Sequence, residues 1–327
     1  MKIMSIIGTR PNYIKLDPEL KQIIVNTGQH FSKGMRYEDT GLKLPKPKYN
    51  LNETKLGRMI EKLCEVIVKE NPETILVYGD TNSTLAGAIA AKKCGKKLVH
   101  IEAGMRSGVL EMPEEQNRRM VDQISDFLLC VSKRCADTLE REGVLGRIGI
   151  CGNVMLDTIW EALPTKPIKE YGEYVLLTIH RAGTADDPEA LKEVFEALKD
   201  YKVIFPVHPR TLKTIKKYKI KYPKNFVVLE PVNYKRMIHL IASAKKVITD
   251  SGGLQVEAHF LRIPCITLRN ETEWNETVEQ GWNTLVGTDK LAIKKALEES
   301  TEIAKPRNLV YGDGKANEKI RNFINSL

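Results

Sequence analysis

The 327 residues are enough for two domains of ordinary size, each with a well-filled core. Hydrophobic residues make up 42% and charged residues 28%, the balance of a globular chain, which excludes a disordered or fibrous protein. The net charge of +9 is spread along the chain, and its densest run, "TLKTIKKYKIKYPK", alternates with apolar residues as a solvated helix face does. This pattern argues against a nucleic-acid partner and fits the steering of an anionic small molecule.

The amino terminus, "MKIMSIIGTRPN", holds an apolar run too short for a signal peptide, and no later segment reaches membrane-spanning length. The six cysteines form no C-x-x-C pair and sit mostly in apolar segments, as reduced thiols do. The expectation is a cytoplasmic protein with no membrane contact.

In chain order, the first predicted strand is "KIMSII", followed by "GTRPNYIK" with Arg10 and Lys15. "QIIVNT" leads to Gln29. The amphipathic stretch "GRMIEKLCEVIVKE" precedes "TILVYG", which exits to Asp80, Thr81 and Asn82. A helix over "STLAGAIAAKKC" leads to "KLVHIE", which delivers Glu102, and "AGMRSG" then leads to "MPEEQNR", with Glu114 and Glu115. The helix "EEQNRRMVDQISD" and the strands "FLLCVS" and "IGICG" close this series.

"EALPTKPIKEYGEY", residues 161–174, bears prolines and reads as a linker. A second series follows. "YVLLTI" exits to His180-Arg181, "KVIFPV" to His208-Pro209-Arg210, and "KKVIT" to Asp250-Ser251-Gly252-Gly253. "FVVLEP", "PCITLR" and "NTLVG" are further strands, with helices over "DPEALKEVFEALKD" and "YKRMIHLIASA". After an irregular "KPRNLVYGDG", the last helix, "GKANEKIRNFINSL", is expected to pack back on the first domain. The domains therefore read as 1–160 and 161–309, with 310–327 as the returning helix.

Nearly continuous apolar strands alternating with helices predict an α/β fold: parallel sheets covered on both faces, doubly wound, in two domains. Ligands of such sheets bind beyond the carboxyl ends of the strands. Each polar exit read alone is equally a cap or a turn. Taken from both series, they point to one interdomain cleft. Arg10, Lys15 and a Ser-Gly-Gly helix start suit a diphosphate, because glycine lets an anion approach the free N–H groups of the helix. Glu257, one helical turn beyond Gly253, is placed to accept hydrogen bonds from a ribose diol. Neither G-x-G-x-x-G nor a Walker loop occurs where a cofactor would need it, so NAD and ATP are not expected.

The set "GTRPNYIK", "GDTNSTLAGAIAA", "HIEAGMRS", "MPEEQNR", "TIHR", "PVHPR", "TDSGGLQVEA" and "YGDGKA", in this order over nearly the whole chain, resembles the non-hydrolysing UDP-N-acetylglucosamine 2-epimerases. The resemblance implies a GT-B-like architecture of two Rossmann-like domains, UDP held by the second, a homodimer, and a reaction without nicotinamide or metal. It also implies proton-transfer roles for Asp80, Glu102 and Glu114, with His180 near the diphosphate and the reacting sugar. Arg10 and Lys15 become charge-neutralising ligands, while Ser251, Gly252, Gly253 and Glu257 hold UDP. A regulatory UDP-sugar site, by the same resemblance, would use Gln29, Arg181 and His208.

Several positions depart from that pattern. Trp274 follows "TE" where an arginine is usual, "AGTADDP" replaces the arginine-glutamate after His180-Arg181, and Val232 and Met237 replace a glutamine and a phenylalanine. These features resemble a sister branch acting on UDP-2,3-diacetamido-2,3-dideoxyglucuronate. A glycosyltransferase and a hydrolysing epimerase are the rival enzymes, and a UDP-sugar-binding regulator without catalysis is the rival of another class.

Overall fold

The computed structural model describes residues 1–29, 40–163, 170–299 and 309–327. The chain divides into two compact units, Met1–Glu161 with Leu309–Leu327, and Ala162–Asn308. The predicted linker lies partly outside the described residues, at 164–169, as does the start of the irregular run before the last helix.

The first unit opens with β1 (Ile3–Ile7), α1 (Arg10–Tyr13), β2 (Ile23–Asn26) and β3 (Tyr49–Asn50). It continues through α2 (Leu56–Glu70), β4 (Thr74–Tyr78), α3 (Asn82–Lys93) and β5 (Lys97–Ala103). Then come α4 (Pro113–Ile124), β6 (Phe127–Cys130), α5 (Lys133–Arg141), β7 (Arg147–Ile150) and α6 (Val154–Ala162). The sheet is parallel throughout, in the order β3-β2-β1-β4-β5-β6-β7.

Both faces of this sheet are covered, as continuous apolar strands require. Successive side chains of β1 point to opposite faces. Met4 and Ile6 join a core with Leu63 and Ile67 of α2, whereas Ile3 and Ile7 join a second core with Leu76 and Ile101. Helix α3 is built almost wholly from small residues because it lies against the sheet. A Cβ on Gly87 would stand 2.9 Å from Val77 and 3.1 Å from Ile6.

The second unit runs β8 (Val175–Thr178), α7 (Ala182–Ala185), α8 (Pro188–Ala197), β9 (Val203–Pro206), α9 (Pro209–Tyr218) and β10 (Phe226–Leu229). It continues with α10 (Tyr234–Ser243), β11 (Lys246–Thr249), α11 (Gly252–Phe260) and β12 (Cys265–Thr267). The remaining elements here are α12 (Asn275–Glu279), β13 (Asn283–Leu285) and α13 (Lys290–Glu298). Its parallel sheet has the order β10-β9-β8-β11-β12-β13. The last helix, α14 (Ala316–Asn325), belongs to the first unit. Ala316, Ile320 and Ile324 enter the core containing Ile7 and Leu76, and Arg321 bonds both carboxylate oxygens of Asp17 at 2.7 and 2.8 Å.

Both sheets reverse their winding at one place, between β1 and β4 in the first unit and between β8 and β11 in the second. Such a switch point leaves a crevice beyond the strand ends, where this class of sheet holds its ligands. The predicted site residues fall at both.

Candidate functional site

At the first switch point, Thr9 caps α1 through the Asn12 N–H, and the Asn12 amide donates to the Tyr78 carbonyl at 3.0 Å, tying the exit of β1 to that of β4. This turn carries Lys15 inward. Its ammonium meets Glu102 Oε2 at 2.5 Å, and both residues are buried, with 9% and 6% of their surface exposed. Gly79 lies beside the pair: even a Cβ there would keep ordinary contact distances, 3.4 Å from Lys15 Nζ and 3.5 Å from Glu102 Oε1. Gly79 also has φ +67, which glycine adopts without strain.

Glu102 is not simply a strand end. Its φ is +75, and the pairing of β5 with β6 slips between Ile101 and Ala103, so Glu102 is the extra residue of a bulge. A left-handed glutamate costs about 1–3 kcal/mol and persists only where neighbours hold it. The bulge turns its carboxylate toward Lys15. Sequence reasoning read Glu102 at the end of this strand but had no signal for the bulge.

Asp80 follows Gly79 and is held by the guanidinium of Arg118, while Asn117 donates to the Asp80 carbonyl at 2.9 Å. Arg118 lies in the quoted "MPEEQNR" but was not singled out, although helical spacing puts it on the same face as Glu114 and Glu115. Those two glutamates separate. Glu114 is exposed in the first turn of α4, whereas Glu115 is fully buried, accepts from the Ser107 N–H at 2.8 Å and pairs with Arg119 at 3.2 Å. Arg10 opens α1 on the same edge and is half-buried. Gln29 accepts from the Ser83 N–H at 3.1 Å and the Ser83 hydroxyl at 2.8 Å, engaging the first turn of α3.

Behind these groups lies a buried polar chain. His100 Nδ1 stands 2.7 Å from Asp122 and its Nε2 stands 2.8 Å from the Gly79 carbonyl. Arg106 bonds Asp122 at 2.8 Å and Glu142 at 2.6 Å. Burial alone would push the Asp122 carboxyl up, but His100 and Arg106 outweigh it and hold the group below the usual range.

At the second switch point, Ser251 caps α11 by accepting from the Leu254 N–H. Asp250, read from the sequence as an alternative cap, instead reaches across to β8. Its buried carboxylate accepts from the His180 N–H at 2.9 Å and the Arg181 N–H at 2.8 Å, and His180 Nδ1 lies 3.2 Å away. His180 is partly exposed, and its ring stands 5.7 Å from that of His208, which caps α9.

The two glycines differ. A Cβ on Gly252 would lie 2.2 Å from Glu273 Oε1, whereas one on Gly253 would find only Ser251 Oγ, at 3.9 Å. Gly252 therefore makes way for Glu273, which Arg269 holds at 3.0 Å and Arg181 approaches at 3.7 Å, and Gly253 is the open one. Trp274, at the divergent position, is buried at the start of α12. Glu257 is buried within α11, one turn beyond Gly253.

All six cysteines are free thiols, and burial pushes Cys151 and Cys265 up to about 12. Among the described residues, no group of three or more His, Cys, Asp or Glu is arranged to hold a metal ion, and no helix is long and apolar enough to cross a membrane.

Known proteins resemble the chain as a whole. The family model for UDP-N-acetylglucosamine 2-epimerase matches residues 12–325. A UDP-N-acetylglucosamine 2-epimerase homolog of Methanococcus maripaludis is 41% identical, over all of both chains. The UDP-2,3-diacetamido-2,3-dideoxy-D-glucuronate 2-epimerase of Pseudomonas aeruginosa is 39% identical, also over all of both. The crystal structure of the Methanocaldococcus jannaschii UDP-GlcNAc 2-epimerase in complex with UDP-GlcNAc and UDP superposes with a TM-score of 0.89 at 38% identity, covering both chains completely. The two parallel sheets share the GT-B-like α/β fold of that enzyme. With its matching model, relatives and fold, the chain belongs to the UDP-N-acetylglucosamine 2-epimerase family.

Proposed function

We propose that the protein interconverts UDP-N-acetylglucosamine and UDP-N-acetylmannosamine, a reaction that would supply N-acetylmannosamine units for cell-surface glycans. The observation that carries this reading is the buried Lys15–Glu102 pair on a strained bulge at the first switch point. Residues held in a strained backbone by their neighbours cluster at reacting sites.

Carbon 2 of an N-acetylhexosamine has no adjacent carbonyl to acidify its proton. The direct route removes that proton as the diphosphate leaves carbon 1. The products are 2-acetamidoglucal and UDP, both still bound. Re-addition of UDP with protonation of the opposite face gives the epimer. No nicotinamide or metal is required. The carboxylates Asp80, Glu102 and Glu114 are the acid and base groups, each expected to contribute about 10²–10⁴-fold. Lys15 holds the Glu102 carboxylate in place. Ser251, Gly252 and the open Gly253 receive the diphosphate at the start of α11, with His180 beside it, Arg10 adding charge and Glu257 facing the ribose. The enzyme is read as a cytosolic homodimer. Gln29, Arg181 and His208 remain the candidates for a regulatory UDP-sugar site.

The test is incubation with UDP-N-acetylglucosamine in D₂O, followed by NMR. Deuterium at carbon 2 and UDP-N-acetylmannosamine without stoichiometric free UDP are expected. Free N-acetylmannosamine would make the protein a hydrolysing enzyme, and absence of label would remove this substrate. The second reading, the diacetamido-glucuronate substrate, is favoured by the 39% identity to the Pseudomonas enzyme and by Trp274. Label in that sugar alone would establish it. Light scattering with and without UDP-sugar checks the dimer.

A further inference from the structure

The buried chain behind the first switch point has a feature that a structural hydrogen-bond network does not need. Both ring nitrogens of His100 face acceptors. The Gly79 carbonyl, 2.8 Å from Nε2, can only accept, and so can an ionised Asp122, 2.7 Å from Nδ1. A neutral imidazole has one N–H and would leave one of these contacts unmade. Asp122 also accepts from the Gly104 N–H at 3.2 Å and from Arg106 at 2.8 Å, contacts that favour its ionised form. A cationic His100 completes an alternating row, His100–Asp122–Arg106–Glu142, of two cations and two anions.

The row touches both structures that aim the reacting groups. Gly79 is fixed twice, its carbonyl by His100 and its N–H by the Ile101 carbonyl at 3.0 Å. Asp122 grips the β5 segment on both sides of the bulge, at His100 before Glu102 and at Gly104 after it. Gly104 also has a left-handed φ of +79, so two such residues stand within three positions. Besides its partners in the row, Lys15 and Glu102 lie across Gly79, and Cys130 on β6 faces Asp122.

We infer that His100 is protonated at neutral pH and that, with Asp122, it is a positioning residue that holds the Gly79 turn and the Glu102 bulge in the shape the reaction needs. The role in the reaction rests on the epimerase reading, whereas the charge on His100 does not. His100 touches no substrate. It acts through Asp80 and Glu102, whose placement it shares with Asp122.

The experiment has two arms on the full-length protein. Histidine side-chain ¹H–¹⁵N spectra, assigned with His100→Asn, are recorded from about pH 6 to about pH 9, a range that spans ordinary imidazole titration. Slowly exchanging protons on both ring nitrogens of His100 throughout this range are expected, and one unprotonated nitrogen above neutrality overturns the charge assignment. In the second arm, Asp122→Asn should slow deuterium exchange at carbon 2 by about 10²-fold, as a misplacement of about 1 Å does, with the Kd for UDP unchanged. Unaltered exchange, or equal loss of exchange and of UDP binding, overturns the positioning role. If Asp122→Asn does not fold, the wild-type spectra still decide the charge. Wild-type exchange in the same buffer separately decides the epimerase reading.

Discussion

The two units share a strand order about their switch points and use it in opposite ways. At the first, side chains of opposite charge are paired, buried Lys15 with buried Glu102 and buried Arg118 with half-buried Asp80. At the second, the backbone is presented: Asp250 fixes the exit of β8, Ser251 caps α11 and Gly253 stays bare. The first arrangement suits moving a proton, because each paired carboxylate is held in a defined direction. The second suits gripping an anion, because N–H groups cannot be titrated away. The difference lies in the residues around the strand ends, which is where function is grafted on such folds.

The sharpest way to break this division of labour is Glu102→Gln. Exchange at carbon 2 should fall by about 10²–10⁴-fold, while UDP binding, assigned to the other unit, stays near wild type. Isothermal titration with UDP, alongside the D₂O assay, reads both. Equal loss of both properties would mean that the units do not divide the work. Asp250→Ala is the counterpart in the second unit. It strips the carboxylate from the His180 and Arg181 N–H groups, and each group left unsatisfied costs about 1–3 kcal/mol. A lowered Tm with weakened UDP binding is expected.

How much of this was legible in the sequence differs between the two units for a physical reason. Strands buried on both faces announce themselves as apolar runs, so "TILVYG" and "KKVITD" were readable. Their exits were readable too, because Asp80 and Ser251 follow at once. Two-residue β3 was not, since an edge strand so short has no periodicity. The bulge at Glu102 was invisible because nothing in "HIEAG" encodes a left-handed glutamate except distant partners, Lys15 on its carboxylate and Asp122 of α4 on the residues to either side. Arg118 and Asp122 both sit on α4, whose role depends on which strand it covers. Asp250 misled for a similar reason: as a cap its partner would be local, but its actual partners are seventy residues away, just beyond the end of β8. Local chemistry could be read; pairing across the sheet could not.

The glycines sharpen the anion-binding half. Gly252→Ala drives a methyl into Glu273, so it should lower Tm and loosen the Arg269–Glu273 pair. Gly253→Ala meets only Ser251 Oγ and should hold or raise stability by about 0.4–1 kcal/mol, since alanine narrows the unfolded ensemble. If the open side of Gly253 receives the diphosphate, UDP affinity must still fall. Unchanged affinity in Gly253→Ala would move the phosphate site away from this helix start.

The smallest effect lies at the far edge of the first sheet, away from the reacting groups. Glu70, the last residue of α2, accepts from Lys48 at 2.7 Å and from the Tyr49 hydroxyl at 2.5 Å, and lies 3.0 Å from Lys2. These contacts, Lys48 foremost, hold its carboxyl at about 2 and tie the short β3 to the helix. A depressed carboxylate contributes stability that is fully present above its unfolded value of about 4.3 and disappears as the pH falls through the folded one. Glu70→Gln should therefore flatten the loss of stability between about pH 4.3 and about pH 2 while leaving exchange and UDP binding at neutral pH unaltered. Urea melts across that window read the slope. A variant that also slowed exchange would show that the sheet edge is coupled to the switch point, and the clean separation of scaffold from site in this unit would have to be abandoned.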